Sequence, residues 1–379
     1  MTTVLQVIPH LGAGGAEQAC VDVTAGLTAA GHRALVVSAG GSRVPEIIRS
    51  GGHHIAAHVH SKNPLLMLWN ALWLATVIVR HKVDIVHARS RAPAWSALWA
   101  SRLTARPFVT TNHAAYKFSN PIKKFYNSVM AKGDRVIAIS DFIAQQVASA
   151  YGVSRDIIRT IPRGIDLTRF DPMTIATTRT EPLHREWGVG LGQVIVLSPA
   201  RLTPIKGQTT LIEAMALLPP ELSHVQAVIV GDDQGRVGYR QQLQELIAVR
   251  GLQDRVKLVK HCADMPASYA MASLVVATSR VPEGFGRVPV EAMVMGVPVI
   301  ATRLGGFTET ISHGETGFLV DVDDPAALAQ AMVDVLTMPR EERSALIDKA
   351  RRHARMRYDK WKMVADTLAV YDELYKKKP

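Results

Sequence analysis

Short apolar, β-branched runs alternate with helix-like or glycine-rich connections along the chain, and the alternation starts twice. In the first half the runs are VLQVIP (4–9), ALVVSA (34–39), IAAHVH (55–60), DIVHA (84–88), FVTTN (108–112), RVIAIS (135–140) and IIRTIP (157–162). Residues 171–187, DPMTIATTRTEPLHREW, are polar, lack a clear period and read as a linker. The runs then resume as VIVLSPAR (194–201), QAVIVG (226–231), RVKLV (255–259), SLVVATS (273–279), GVPVIAT (296–302) and GFLVDV (317–322). Strands alternating with helices predict a parallel sheet covered on both faces. The expected fold is therefore α/β, with two Rossmann-like, doubly wound domains over 1–175 and 188–354. A cleft between such halves, at the carboxyl ends of the strands, is the expected ligand site. The tail from Ser344 to Leu374 reads as one long helix rich in Arg and Lys, and Lys376-Lys377-Lys378 as a solvated end.

With 379 residues, 47% of them hydrophobic, the chain can build two cores. Its net charge of +11 is not evenly spread: residues 1–180 hold 20 Lys and Arg against 9 Asp and Glu, and the remainder holds 24 of each. The one-sided charge is either a solvated basic surface or an attraction for something anionic: a membrane surface, a phosphorylated acceptor or nucleic acid. No recognition motif accompanies the charge, so nucleic acid is not an expected partner. Cys20 and Cys262 are far apart and in no metal-like spacing, which suits two free thiols in a reducing cytoplasm. No signal peptide is visible ahead of VLQVIP. The apolar stretch PLLMLWNALWLATVIV (64–79) is shorter than the roughly 20 residues that span a bilayer and reads as a buried core helix.

Four segments carry candidate chemistry. In EGFGRVPVE (283–291), Glu283 precedes a glycine loop that lets backbone approach a ligand. Pro289 marks the expected helix start, which would put Glu291 in the first turn, with Gly296 and Pro298 as the stop. Backbone N–H groups at such a helix start suit a phosphate. In SPARLTPIKGQ (198–208), Arg201 and Lys206 lie in a turn between a strand and a helix and could hold a diphosphate, or be a solvated charge pair. PHLGAGGAEQ (9–18) turns from a strand into a helix near Ala16, as a plain tight turn or a phosphate-binding one; it is neither a dinucleotide fingerprint nor a Walker loop. His113 in TTNHAAY (110–116) follows a strand, a position where a lone histidine is as readily structural as functional. Gly305-Gly306, in GGFTETISHGETGFLV, forms a further close-approach turn.

Together these motifs resemble the family 4 retaining glycosyltransferases, which have the GT-B fold. The likeness rests on Glu283-x7-Glu291 followed by EAMVMGVPVIAT and GG…ET…GFLV, on ARLTPIKG, on PHLGAGGAE and on RGIDLTRFDP. It implies transfer of a sugar from a nucleotide-sugar, UDP favoured and GDP next, to an acceptor hydroxyl with the anomeric configuration kept. It implies no metal and no cofactor. The C-terminal domain would hold the donor and the N-terminal domain a glycan or glycolipid acceptor, with the last helix, from about Arg355, crossing back to the first domain. Carried over by position, Arg201 and Lys206 would grip the diphosphate. Glu283 would contact hydroxyls of the transferred sugar, with the backbone at Phe285 and Gly286. Glu291 would hold the ribose, Gly14 and Gly15 would approach the diphosphate and acceptor, and His113 would sit at the reaction centre. The loop His261–Ala263, Cys262 included, would read the base.

Two positions depart from the family pattern. Arg163 stands where Asn is common before Gly164, and could contact an anionic acceptor or pair with Asp166. Arg287 stands where an apolar residue is common after Gly286, and could reach a phosphate or the transferred sugar. Lys117, Lys123, Lys124, Lys132 and Arg135 cluster around a basic amphipathic segment, NPIKKFYNSVMAK, with Ile122, Phe125, Tyr126 and Val129 on one face. Such a helix can lie on an anionic membrane. The expectation is a cytoplasmic enzyme, peripheral on the inner membrane face, acting on lipopolysaccharide or another envelope polysaccharide. A sugar phosphorylase of the same fold and a non-catalytic nucleotide-sugar-binding subunit are the alternatives.

Overall fold

The computed structural model describes residues 1–12, 14–114, 120–190 and 192–375. It divides into two compact units, Met1–Gly164 with Lys360–Pro379, and Ile165–Asp359.

The first unit is built on seven strands: β1 (Thr3–Val7), β2 (Arg33–Ser38), β3 (His53–Ala56), β4 (Ile85–Ala88), β5 (Phe108–Asn112), β6 (Arg135–Ala138) and β7 (Ile158–Thr160). They form one sheet in the order β3-β2-β1-β4-β5-β6-β7. Every pairing is parallel; Val7, for example, lies between Val37 and Ala88. Helices α1 (Gly15–Ala29), α2 (Val44–Arg49), α3 (Pro64–Arg80), α4 (Arg91–Leu103), α5 (Pro121–Ser128) and α6 (Asp141–Tyr151) connect them. Successive side chains of a strand point to opposite faces, and the cores follow that rule. Leu5, Val7, Val86 and Phe108 pack with Leu74, Ile78 and Leu98 of α3 and α4. Val4, Ile85, Val109 and Ile137 pack on the other face with Ala19, Val23 and Leu27 of α1. Met363, Val364, Val370 and Tyr371 complete that second core.

The second unit begins with α7 (Thr177–Trp187) and holds β8 (Val194–Pro199), β9 (Val225–Val230), β10 (Val256–Val259), β11 (Leu274–Ala277), β12 (Val299–Thr302) and β13 (Phe318–Val320). These form a parallel sheet in the order β10-β9-β8-β11-β12-β13. Helices α8 (Gln208–Ala216), α9 (Val237–Val249), α10 (Met265–Ala270), α11 (Arg287–Val294), α12 (Phe307–Thr310), α13 (Pro325–Leu336) and α14 (Arg340–Arg357) surround it. The last helix, α15 (Lys360–Tyr375), belongs to the first unit.

Three expectations are corrected. The supposed linker contains a helix, α7, anchored by buried Leu183 and Trp187 one turn apart and by Arg179, whose guanidinium holds Asp264 through bonds of 2.8 and 2.7 Å. The long terminal helix is two helices, because at Tyr358 the chain stops coiling: the Tyr358 carbonyl accepts from Ile165 N at 2.7 Å and its ring is buried against Phe285. The apolar segment 64–79 is not a core helix throughout. Met67, Ala71, Leu74, Val77 and Ile78 are buried, but Leu65, Leu66, Leu68, Trp69, Leu72 and Val79 are exposed. Among the described residues no helix is long and apolar enough to cross a membrane.

Candidate active site

The loop between β11 and α11 is held in a tight turn by a glycine. Gly286 caps α11 with φ +96°, a conformation side chains rarely adopt, and a Cβ there would stand 2.6 Å from the Phe307 ring. The helix starts at Arg287, two residues before the expected Pro289. Pro289 is tolerated at the third helical position because the first N–H groups of a helix have no intrahelical acceptor to lose. Glu291 therefore falls in the second turn and not the first.

Glu283 sits on the loop before this helix and is fixed from three sides. Its backbone bridges Gly305, and its carbonyl accepts from Gly306 N at 2.8 Å. A Cβ on Gly306 would lie 2.6 Å from Phe285 Cα, so the close approach made by Gly305-Gly306 is to the 283–285 loop itself. The Glu283 Oε1 atom accepts from Lys206 Nζ and from Ser279 Oγ. Oε2 carries no protein hydrogen bond among the described residues. Lys206 ends a short 3-10 turn, Pro204–Lys206, and its carbonyl accepts from Thr278 Oγ1 at 3.0 Å.

Glu291 is held as tightly, in a drier place. It is 8% exposed; Oε1 accepts from Arg287 Nη2 at 2.7 Å and Oε2 from the Tyr269 hydroxyl at 2.8 Å. Burial first, then the neighbouring Glu291 charge, hold the Tyr269 phenol well above its ordinary pKa, so it remains a neutral donor. Each of the two glutamates thus carries a cation of its own, Lys206 on one and Arg287 on the other. Phe285 turns its side chain inward, edge-on to Tyr358 with ring centroids 5.3 Å apart, so only its backbone can face a ligand.

Arg201 is not drawn into this cluster. Its side chain is exposed, with Nη1 3.4 Å from Gln234 Oε1, while its carbonyl accepts from Gln208 Nε2 at 2.8 Å. His261 lines a cavity of about 520 Å³ with Asp232, Asp233, Arg240 and Lys260, beyond the carboxyl ends of β9 and β10. Cys262, next to it, is buried, and burial pushes its thiol up. The loop is tied down by Arg169 Nη2 to Ala263 O (3.3 Å) and by the Arg179–Asp264 pair.

In the first unit His113 stands at the end of β5. Arg163 Nη2 donates to its Nδ1 at 3.0 Å. Burial, with Arg163 and Arg89 adding to it, holds the imidazole well below its ordinary pKa. A neutral ring that accepts at Nδ1 carries its proton on Nε2, and that buried nitrogen has no hydrogen-bond partner among the described residues. Arg163 thereby fixes the tautomer of His113, and the Asp166 carboxylate accepts from Thr168 N and Arg169 N. Behind His113, His87 is wholly buried between the Tyr371 hydroxyl (2.6 Å) and Thr111 Oγ1 (2.7 Å). Gly14 caps α1 and Gly15 is its first residue, one before the expected Ala16, with the Glu17 carboxylate folded back over Gly14. The preceding Gly12 carbonyl accepts from Arg43 Nε at 2.9 Å.

Lys123 and Lys124 lie in the first turn of α5, where Asn120 Oδ1 caps the Lys123 N–H at 2.8 Å. The expected apolar stripe of this segment splits: Ile122 and Phe125 are exposed, while Val129 is buried in the 3-10 turn that follows. Lys117 and Lys376-Lys377-Lys378 lie outside the described residues. Among the described residues no group of three or more His, Cys, Asp or Glu is placed to hold a metal ion. Sequence reasoning missed Tyr269, Ser279, His87 and Tyr371. The histidine inside the strand run DIVHA was the one visible signal for that last pair.

A family model described as Glycosyltransferase Family 4 matches residues 13–169, and one described as Glycosyl transferases group 1 matches 180–353. The chain is 30% identical over 305 residues to the GDP-mannose-dependent alpha-(1-6)-phosphatidylinositol monomannoside mannosyltransferase of Mycolicibacterium smegmatis, covering 77% of each. A solved glycosyltransferase from Rickettsia africae is similar over 100% of this chain and 99% of its own, at 34% identity and a TM-score of 0.90. Anabaena HepE, solved with UDP-glucose, is similar over 97% of this chain and 100% of its own, at 27% identity and a TM-score of 0.83.

Proposed function

The chain belongs to the family 4 glycosyltransferases, with two α/β units of the GT-B fold, and on that premise we propose that it moves a hexosyl group from a UDP-sugar to a hydroxyl of an envelope glycan or glycolipid, such as lipopolysaccharide, with retention and without a metal. The UDP-glucose complex of the Anabaena relative favours UDP, and the GDP-mannose dependence of the M. smegmatis relative puts GDP next. The name of the latter also supports a lipid-borne acceptor.

The observation that carries this reading is the Lys206–Glu283 pair with its open Oε2. A diphosphate offers Lys206 more negative charge than one carboxylate does. Drawing Nζ onto phosphate would release Glu283 to accept hydrogen bonds from hydroxyls of the transferred sugar. Exposed Arg201 would meet the diphosphate charge as it develops. Glu291, already oriented by Tyr269 and Arg287, keeps lone pairs for the ribose hydroxyls. The bond from the anomeric carbon to the phosphate oxygen breaks, the bond to the acceptor oxygen forms on the same face, and the departing phosphate takes the acceptor proton. No side-chain nucleophile is needed, and Glu283 is not one. His113 would offer its Nε2 proton as a hydrogen bond at the sugar.

Thermal unfolding with UDP, GDP, ADP and their sugar conjugates tests the donor. A ligand that binds only the folded state raises Tm, so one nucleotide class should do so in the natural protein and not in Lys206→Ala. Proton NMR of the first product reads the anomeric configuration, and turnover in EDTA reads the metal requirement. Cleavage of a disaccharide that depends on inorganic phosphate and needs no nucleotide would replace this reading with a phosphorylase.

A further inference from the structure

We propose that the first unit holds a second ligand site, at the opposite end of its strands from His113, where Arg106 binds a small phosphate ester. A cavity of about 690 Å³ lies at the amino ends of β5, β6 and β7, with Arg102, Arg106, Pro107, Arg135, Ile157 and Leu374 among its walls. That volume suits a small molecule. β5 carries the chain from Pro107 to His113, about 20 Å of extended strand, so the cavity is remote from His113. The end of α4 sets Arg106 in place. Arg106 N donates to Ser101 O at 2.8 Å and Ala105 N to Arg102 O at 3.3 Å, the two bonds of a Schellman turn. Ala105 takes φ +50° there, a conformation ordinarily left to glycine.

The charge around this cavity is unbalanced. Asp134 is already satisfied: its Oδ1 accepts from Arg102 Nη1 and Nη2, each at 3.2 Å, and its Oδ2 from Phe108 N at 2.7 Å. Glu373 is shared by two arginines, with Arg135 Nε at 2.6 Å and Arg159 Nη2 at 2.8 Å. Arg106 is left over. Its Nε is buried without a hydrogen-bond partner, and its guanidinium forms no ion pair among the described residues. Four guanidiniums thus stand against two carboxylates. A buried polar group ordinarily has a partner, and a buried cation needs one most. A phosphate ester supplies up to two negative charges and oxygens spaced for the guanidinium fork, where a carboxylate supplies one charge. Pro107, Ile157 and Leu374 add apolar wall, which the carbon body of an ester covers and inorganic phosphate does not.

Calorimetric titration of the full-length Lys206→Ala chain with glucose 6-phosphate, uridine 5′-monophosphate and inorganic phosphate tests this with the donor grip removed. One ester should bind about tenfold or more tighter than inorganic phosphate, and which one does so tells a hexose body from a nucleoside. Adding Arg106→Gln should weaken that binding by about tenfold or more. Arg106→Lys, which keeps the charge without the fork, should recover part of it. Because the Arg106 side chain holds nothing in the fold, Arg106→Gln alone should keep the Tm shift given by the donor nucleotide. No binding of either ester, or binding undiminished in Arg106→Gln, overturns the proposal. Inorganic phosphate bound as tightly as both esters also overturns it, since the apolar wall would then select nothing.

Discussion

Lys206 and Glu283, 77 residues apart in sequence, are bonded to each other. The residue expected to grip phosphate and the residue expected to grip sugar thus neutralise one another. Glu283→Gln separates the two roles. It should lower kcat/KM about 10²- to 10³-fold while leaving the nucleoside diphosphate Tm shift intact or larger, because Lys206 is released. Unchanged kcat/KM would remove Glu283 from the reaction centre.

Arg163 and His113 form a second such pair, in which the arginine acts on the tautomer and charge of the imidazole. Removing the guanidinium in Arg163→Ala lets the His113 pKa rise toward its ordinary value. The acid limb of the kcat/KM profile should then move to higher pH, so activity is lost sooner on acidification. A pH–rate profile superimposable on that of the natural enzyme would show that His113 protonation does not limit turnover.

Folding should couple to pH through His87. Its pKa is held well below that of an ordinary histidine, chiefly by burial, with Arg89 and His113 adding to it. The unfolded chain therefore binds a proton below about pH 6.5 that the folded chain refuses, and stability falls as pH drops through that range. One such group contributes a slope of about 1.4 kcal/mol per pH unit at most. Urea denaturation from pH 7 downward should show a slope that His87→Gln reduces.

Tyr269→Phe deletes a single hydroxyl and leaves Glu291 Oε2 without its buried donor. The expected cost is about 1–2 kcal/mol of stability, with weaker nucleotide binding because the carboxylate loses its orientation. Chemical denaturation and a UDP titration read the two effects separately.

Gly286→Ala places a methyl group against Phe307 on a backbone with φ +96°. Strain and clash together should lower stability by about 1–3 kcal/mol. They should also weaken the nucleotide response, since the cap of α11 and the Glu283 loop must shift. A calorimetric scan with and without nucleotide checks both.

What the sequence conveyed follows from which forces are local. The strands were legible because their β-branched runs announce burial on two faces, and FVTTN matches β5 residue for residue. α7 was not, since its burial rests on two residues, Leu183 and Trp187, among polar ones, with Pro182 inside. α3 was misplaced because an apolar composition says nothing of whether there is protein to cover both faces. Glu283 and Glu291 stood out by spacing alone. Tyr269 comes to Glu291 from 22 residues away, and Tyr371 to His87 from 284, and no periodicity connects partners so remote.

The position of α15 also bears on how the chain is made. The core on one face of the first sheet joins Val4, Ile85, Val109 and Ile137 to Met363, Val364, Val370 and Tyr371, from the last helix in the sequence. Domains generally fold in the order in which they leave the ribosome. Here the earliest strands emerge without the helix that seals them, whereas every strand and helix of the second unit has been translated before α15 begins. The second unit can therefore close first, and this face of the first sheet is covered only by α1 until α15 has been made.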